Sequence, residues 1–165
     1  MLTYRSGIGY DVHRFCPGRP LILGGIEIPY HQGLDGHSDA DVILHAICDA
    51  ILGAAGQGDI GEHFPPGDPQ FKNISSSKLL GQVKVMAQKS GYNVVNVDVA
   101  VLAQEPHLKN YKEKMRTHIA SILQVDQTAV NIKATTNEEM GFVGRKEGIA
   151  VYATAMLVKE IGDHK

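Results

Sequence analysis

Five of the eight histidines, His13, His31, His37, His45 and His63, fall within the first 63 residues, among Asp11, Asp35, Asp39, Asp41, Asp49 and Asp59. Imidazoles beside carboxylates can ligate a metal or move protons, and hydrogen-bonded histidines on a polar surface would give the same composition. Asp11-Val12-His13 narrows the choice, because residues two apart on a strand point to one side and reach the same ion. His45 falls on a helical row of polar residues, Asp41, His45 and Asp49, away from the apolar stripe. One aspartate and two histidines leave a tetrahedral ion with an open fourth position, the pattern of a catalytic zinc centre. There Asp41 and Asp49 would fix the tautomer of His45; without an ion they would simply hydrogen-bond it.

Other residues suit phosphate. Gly36-His37-Ser38 stands at the start of the same helical segment, where free N–H groups and the dipole favour an anion. Lys133-Ala134-Thr135-Thr136-Asn137-Glu138 combines a Lys, two hydroxyls and an acid, a set suited to a phosphate and a hydrated divalent cation, though an ordinary polar turn reads the same. Gly141-Phe142-Val143-Gly144-Arg145 adds an arginine on a glycine-bracketed loop. The chain has no Walker loop, G-x-S-x-G, H-E-x-x-H or dinucleotide G-x-G-x-x-G, so neither a protein nucleophile nor nucleotide redox chemistry is indicated.

Periodicity predicts the elements that must hold these groups. Strands are expected at 3–15, 93–103, 130–136 and 149–158, with a hairpin over 21–29 turning at Gly24-Gly25. A first helix is capped by Ser38 or Asp39, carries Val42, Ala46, Ile47, Ala50, Ile51 and Ala54 on its apolar face, and stops near Gly56. Residues 56–75 read as a long functional loop, Ser75 to Ser77 cap a second helix ending at Gly91, and a third helix spans 107–124. This order predicts an α+β fold, a single sheet layer covered by helices on one face. Strand 149–158 is apolar on both sides, so its second face is expected to be buried by sister subunits.

The 165 residues fit one domain, 1–165, and the composition, 43% hydrophobic and 21% charged, is that of a soluble globular chain. A formal net charge of -2 argues against nucleic-acid binding, and no apolar run approaches the roughly 18 residues of a membrane span. Cys16 and Cys48 form no paired motif, and with no transit segment visible a cytoplasmic protein is expected.

The runs GYDVHRF, LGGIEIPY, GLDGHSDADVILHAICDAILGAAGQGDIGEHFPPGDP, VNVDVAVLAQEP and VNIKATTNEEMGFVGRKEGIA cover nearly the whole chain. In order and spacing they resemble the 2-C-methyl-D-erythritol 2,4-cyclodiphosphate synthase family of the non-mevalonate isoprenoid pathway. The resemblance implies a metal-dependent phosphorus–oxygen lyase. In it the 2-phosphate of 4-diphosphocytidyl-2-C-methyl-D-erythritol 2-phosphate attacks its own β-phosphorus, closing the cyclodiphosphate and expelling CMP. It also implies a homotrimer with sheets packed around its axis, active sites between subunits, and an axial cavity that could take an isoprenoid diphosphate.

Carried over residue by residue, the resemblance gives Asp11, His13 and His45 as zinc ligands, one ion per subunit, facing the substrate. His37 and Ser38 position phosphate, and Asp59, Ile60 and Gly61 meet the ribose. Phe64 to Asp68 form a mobile loop over the methylerythritol. From the neighbouring subunit, Ala103, Gln104, Glu105, Pro106, His107 and Leu108 make the cytosine pocket. Thr135, Thr136, Asn137 and Glu138 surround the diphosphate, with magnesium or manganese at Glu138, and Phe142 and Arg145 form a further substrate-side pair. His37 and Thr136 are the catalytic hydrogen-bond donors. His107 and Pro66 depart from the family's usual Lys and acid. A zinc-dependent phosphohydrolase and a trimeric binding module without turnover are the alternatives to the synthase.

Overall fold

The computed structural model describes residues 1–71 and 74–161. Strand β1 runs Leu2–Cys16, β2 Leu21–Leu23, β3 Ile26–Ile28 and β4 Gly33–Leu34. Helix α1 spans Val42–Ala55, α2 Ile60–His63 and α3 Ser76–Lys89, followed by β5 at Asn93–Leu102. Then come α4 at Lys112–Leu123, β6 at Val130–Thr135, α5 at Gly141–Gly144 and β7 at Gly148–Glu160. The main sheet has the order β4-β1-β7-β5-β6, with only β5 and β6 parallel; β2 and β3 pair separately as the expected hairpin.

The α+β class is as expected, a five-stranded sheet flanked by helices. Alternation puts Val97, Val99 and Val101 of β5 and Val151, Ala153 and Ala155 of β7 into the core under α1. The opposite face is uncovered within the chain and carries Tyr4, Ile8, Tyr10, Val12, Tyr152 and Met156 in the open. Tyr10 and Tyr152 are cross-strand partners there, with ring centroids 4.8 Å apart.

Helix α1 lies closely on β1 because β1 has no side chain where they meet. A Cβ at Gly9 would stand 1.9 Å from the Ala46 carbonyl oxygen, and one at Gly7 2.1 Å from that of Ala50. Positions 7, 9, 11 and 13 share one face, so the stripe that admits the helix continues directly into Asp11 and His13.

Four expectations are corrected. The N-cap of α1 is Asp41, whose carboxylate accepts from the Ile43 and Leu44 N–H groups, while Ala40 at φ 57° breaks the helix upstream of it. Gly36-His37-Ser38 therefore precedes the helix rather than forming its anion-binding end. The third helix begins at Lys112 rather than 107, because Tyr111 N–H closes a turn onto the Leu108 carbonyl at 3.0 Å. The segment 56–75 is not structureless: it holds α2 and a 3-10 turn at Pro69–Phe71, with residues 72 and 73 outside the described residues.

Candidate metal centre and cavity

Strand β1 delivers Asp11 and His13, and α1 lowers His45 onto them. Asp11 Oδ2 lies 3.0 Å from His13 Nε2 and 3.0 Å from His45 Nδ1, and the two nitrogens are 3.3 Å apart. A tetrahedral ion bound at about 2.0–2.1 Å needs donors about 3.3 Å apart, so this triangle has the size of a divalent-metal site. Side-chain exposures of 24, 19 and 13% for Asp11, His13 and His45 leave one side of the triangle open. It is the one such group of three among the described residues.

The electrostatics agree. Burial works to raise the Asp11 carboxyl, but the adjoining His13 and His45 imidazoles outweigh it and hold the group well below the usual carboxylate range. Burial works to lower His13, yet the Asp11 hydrogen bond and charge raise it. His13 Nδ1 donates to the Asp35 carbonyl oxygen at 2.5 Å, so the neutral ring keeps its proton there, and a metal taking the place of the Nε2 proton would meet the Nε2 lone pair.

Asp41 and Asp49 do not orient His45. Asp41, fully buried, also accepts from Gly24 N–H (2.9 Å) and Gly25 N–H (2.6 Å) and thereby locks the hairpin turn to α1; burial pushes its carboxyl up to about 6. Asp49 Oδ1 accepts the Ile60 N–H at 2.7 Å, seating α2 on α1. The outer nitrogen of His45 meets hydroxyls instead, Ser76 Oγ at 2.8 Å and Ser38 Oγ at 3.1 Å. Ser76 and Asp39 carry no motif around a distant helix start, so only the closeness of α1 and α3 reveals them. His31 and His63 lie elsewhere, against Tyr30 and the Gln57 carbonyl.

The open side of the triangle faces a cavity of about 710 Å³, lined by Asp11, His13, His37, Ser38, His45, Ile60, Gly61, Phe64 and Asp68 among others. Asp59 adjoins it as the N-cap of α2, its carboxylate accepting from Glu62 N–H. A second cavity of about 140 Å³ is lined by Ala103, Pro106, His107, Leu108, Thr135 and Thr136. No residue belongs to both. Val12, Ala150, Leu102 and Thr135 are successive partners across β1, β7, β5 and β6, so the two groups occupy one end of the sheet. They stand on strands three spacings, about 14 Å, apart.

The remaining residues hold the second group together. Gln104 Oε1 accepts from Asn137 N–H and Glu139 N–H, both at 3.3 Å, while Glu105 pairs with Lys146 at 2.7 Å. Thr136 Oγ1 donates to Glu138 Oε1 at 3.0 Å, with Glu138 in the left-handed region at φ 49°. Phe142 and Arg145 are exposed, Arg145 pairing with Glu147 at 2.7 Å. No helix among the described residues is long and apolar enough to cross a membrane.

A family model described as the YgbB family matches residues 4–158. A 2-C-methyl-D-erythritol 2,4-cyclodiphosphate synthase of Geobacillus kaustophilus is 54% identical over 156 residues, covering 94% of this chain and 99% of that one. One of Bacillus subtilis is likewise 54% identical over 156 residues, with the same coverage of 94% and 99%. Among solved structures, a Plasmodium falciparum IspF in complex with CDP aligns at TM-score 0.83 and 33% identity, over 96% of this chain and 97% of that one. The bifunctional IspDF of Campylobacter jejuni aligns at TM-score 0.93 and 46% identity over 97% of this chain, which spans 43% of that longer protein.

Proposed function

The chain belongs to the YgbB family, and from that premise we propose that it is a 2-C-methyl-D-erythritol 2,4-cyclodiphosphate synthase, residues 1–165 forming one catalytic domain. The observation that carries this reading is the donor triangle of Asp11, His13 and His45 opening onto a cavity of about 710 Å³ that offers hydroxyl and imidazole donors. Such a site suits a reaction whose nucleophile belongs to the substrate, because phosphoryl transfer needs chiefly alignment and charge neutralisation.

The ligands suit zinc, two imidazoles and one carboxylate with a fourth position free, while Glu138 suits magnesium or manganese held jointly with the substrate's diphosphate. When bound, these ions supply Lewis acidity at a β-phosphate oxygen and neutralise the phosphates that part as CMP leaves. Ser38 Oγ accepts the Ala40 N–H at 3.1 Å, which leaves its own proton for a phosphate oxygen. His37 is exposed on the cavity wall and donates to the reacting phosphoryl group. Thr136 donates to Glu138 within the chain and turns to phosphate once Glu138 has another partner. Asp59 to Gly61 take the ribose hydroxyls, Phe64 to Asp68 cover the methylerythritol, and Ala103 to Leu108 receive the cytosine. The bound nucleotide of the Plasmodium falciparum relative supports a cytidine diphosphate substrate.

The separation of the two groups supports a homotrimer. In a cyclic assembly the β1 edge of one copy meets the β6 edge of the next, so each site draws Asp11, His13 and His45 from one chain and Thr136 and Glu138 from its neighbour. The open sheet face with Tyr4, Ile8, Tyr10 and Met156 then lies against the axis. An isoprenoid diphosphate would find an apolar bore there. Cys16 and Cys48, both free, suit a cytoplasmic enzyme.

One sample tests the reading, assayed for metal content and for products. The cyclic diphosphate and CMP in equal amounts, with about one zinc per chain, are expected. An open-chain product would indicate a zinc-dependent phosphohydrolase, and absence of CMP release would indicate a binding module.

A further inference from the structure

Neither acid on its own helical row orients His45; that task falls to a hydroxyl thirty-one positions downstream. Ser76 is fully buried at the first turn of α3, where its Oγ stands 2.8 Å from His45 Nε2 and also contacts Asp39 Oδ1. Asp39 binds this helix start a second time, its Oδ2 accepting the Ser76 N–H at 2.9 Å. Its own N–H reaches the Ile74 carbonyl at 3.3 Å, on the wall of the large cavity.

Proton inventory gives the chain a direction. A carboxylate only accepts, so the Ser76 hydroxyl proton is committed to Asp39. Ser76 Oγ then has only lone pairs for His45, and Nε2 must carry the hydrogen between them. His45 Nδ1 is left with its lone pair toward Asp11 and His13, as a metal ligand requires. Ser38 Oγ, at 3.1 Å from the same nitrogen, is a weaker competitor because it also accepts from Ala40 N–H.

We propose that Ser76, backed by Asp39, is a positioning residue for His45: the Asp39–Ser76 relay selects the metal-binding tautomer and holds the ring in the donor triangle. This rests on the metal centre proposed above. It also means that one residue, Asp39, serves both a ligand of the metal, through its carboxylate on Ser76, and the anchorage of the cavity wall, through its backbone N–H on the Ile74 carbonyl.

Zinc alone is the probe, its affinity read by competition with a chromophoric chelator on the full chain. Ser76→Ala should bind zinc about 10–100-fold more weakly than the wild type, and Ser76→Thr, which keeps the hydroxyl, should stay within about threefold. In Asp39→Asn the new amide can donate to Ser76 Oγ and turn the serine proton toward His45, so its loss should at least equal that of Ser76→Ala. In the zinc-loaded wild type the His45 Nε2–H should appear in nitrogen-edited NMR as a slowly exchanging proton, absent from Ser76→Ala. Unchanged zinc affinity in Ser76→Ala overturns the inference, as does a slowly exchanging Nε2–H that persists there. The wild-type spectrum decides by itself if a variant fails to fold, because a rapidly exchanging Nε2–H contradicts the relay. A wild type that takes up no zinc refuses the metal centre and the relay with it, whereas zinc uptake without cyclisation refuses the proposed reaction and leaves the relay standing.

Discussion

The β1 edge and the β6 edge of the sheet both carry polar clusters, but they are built differently. At β1, Asp11, His13 and His45 are 24, 19 and 13% exposed, and each is held from outside the triangle, Asp11 by the Val12 N–H, His13 by the Asp35 carbonyl and His45 by the buried Ser76 hydroxyl. At β6, Arg145, Glu147 and Lys146 are 61, 54 and 51% exposed; Thr136 pairs with Glu138, and Glu105 pairs with Lys146 and, at 3.4 Å, with the Tyr30 hydroxyl. A preorganised site binds without waiting for a neighbour, whereas exposed pairs of this kind hold weakly and rearrange easily. The β1 edge is a preorganised donor triangle of the size of a divalent-metal site, and the β6 edge is a set of exposed pairs free to rearrange.

The largest expected effect lies on the preorganised side. His45→Ala should lower bound zinc from about one per chain to none and turnover at least about 10³-fold, as loss of several kcal/mol of charge stabilisation implies. Circular dichroism should show α1 intact, since the ring lies outside the apolar core. Zinc retained at full stoichiometry would remove His45 from the ligand set. Next comes Thr136→Val on the side of the exposed pairs, which should lower turnover about 10²–10³-fold with little change in KM if its hydroxyl acts on the transition state. An unchanged turnover would leave the β6 edge a binding surface only.

The two edges were also unequally legible in the sequence. Asp11 and His13 followed from strand periodicity, and His45 from its place off the apolar stripe. What holds His45 did not follow, because Asp39 and Ser76 are brought together by the packing of α3 against α1, which no local spacing encodes. Periodicity likewise favoured Asp41 and Asp49 as partners of His45. Each is instead consumed by backbone N–H groups, of Gly24, Gly25, Ile43 and Leu44 for Asp41 and of Ile60 for Asp49. The four long strands and the hairpin were found to within two residues, because alternation marks them directly, whereas the two-residue β4 carries no such pattern and was missed. The start of α4 was missed because Leu108 and Tyr111 keep helical spacing while forming a turn. At the β6 edge, position and composition suggested phosphate, but roles there came only with the family resemblance, since local spacing does not show what those residues face.

Asp59→Ala probes the margin of the large cavity and should act more gently, raising KM about tenfold with turnover nearly kept, as loss of one ribose contact implies. Asp59 also caps α2, so the same variant should lose about 1 kcal/mol of stability, and Asp59→Asn, which caps as well, should regain most of it. Loss of turnover at saturating substrate, with KM unchanged, would move Asp59 from the ribose to the reacting phosphates.

The smallest signal is the one that joins the edges. If a site takes its metal half from one chain and Glu138 with Thr136 from the next, His45→Ala and Glu138→Ala trimers are each inactive for opposite reasons. In a cyclic trimer assembled at random from equal amounts of both, each interface needs the Glu138→Ala chain on the metal side and the His45→Ala chain on the other. Independent draws satisfy both conditions about one time in four, so co-expressed or co-refolded mixtures should recover about a quarter of wild-type activity. Preformed trimers mixed without subunit exchange should recover none, which separates complementation from residual activity of either variant. Mixed trimers confirmed by mass yet inactive would place Asp11, His13, His45 and Glu138 in a site within one chain. The β6 edge would then have to fold across about 14 Å of sheet to reach the metal, a movement that the paired strands β7 and β5 oppose.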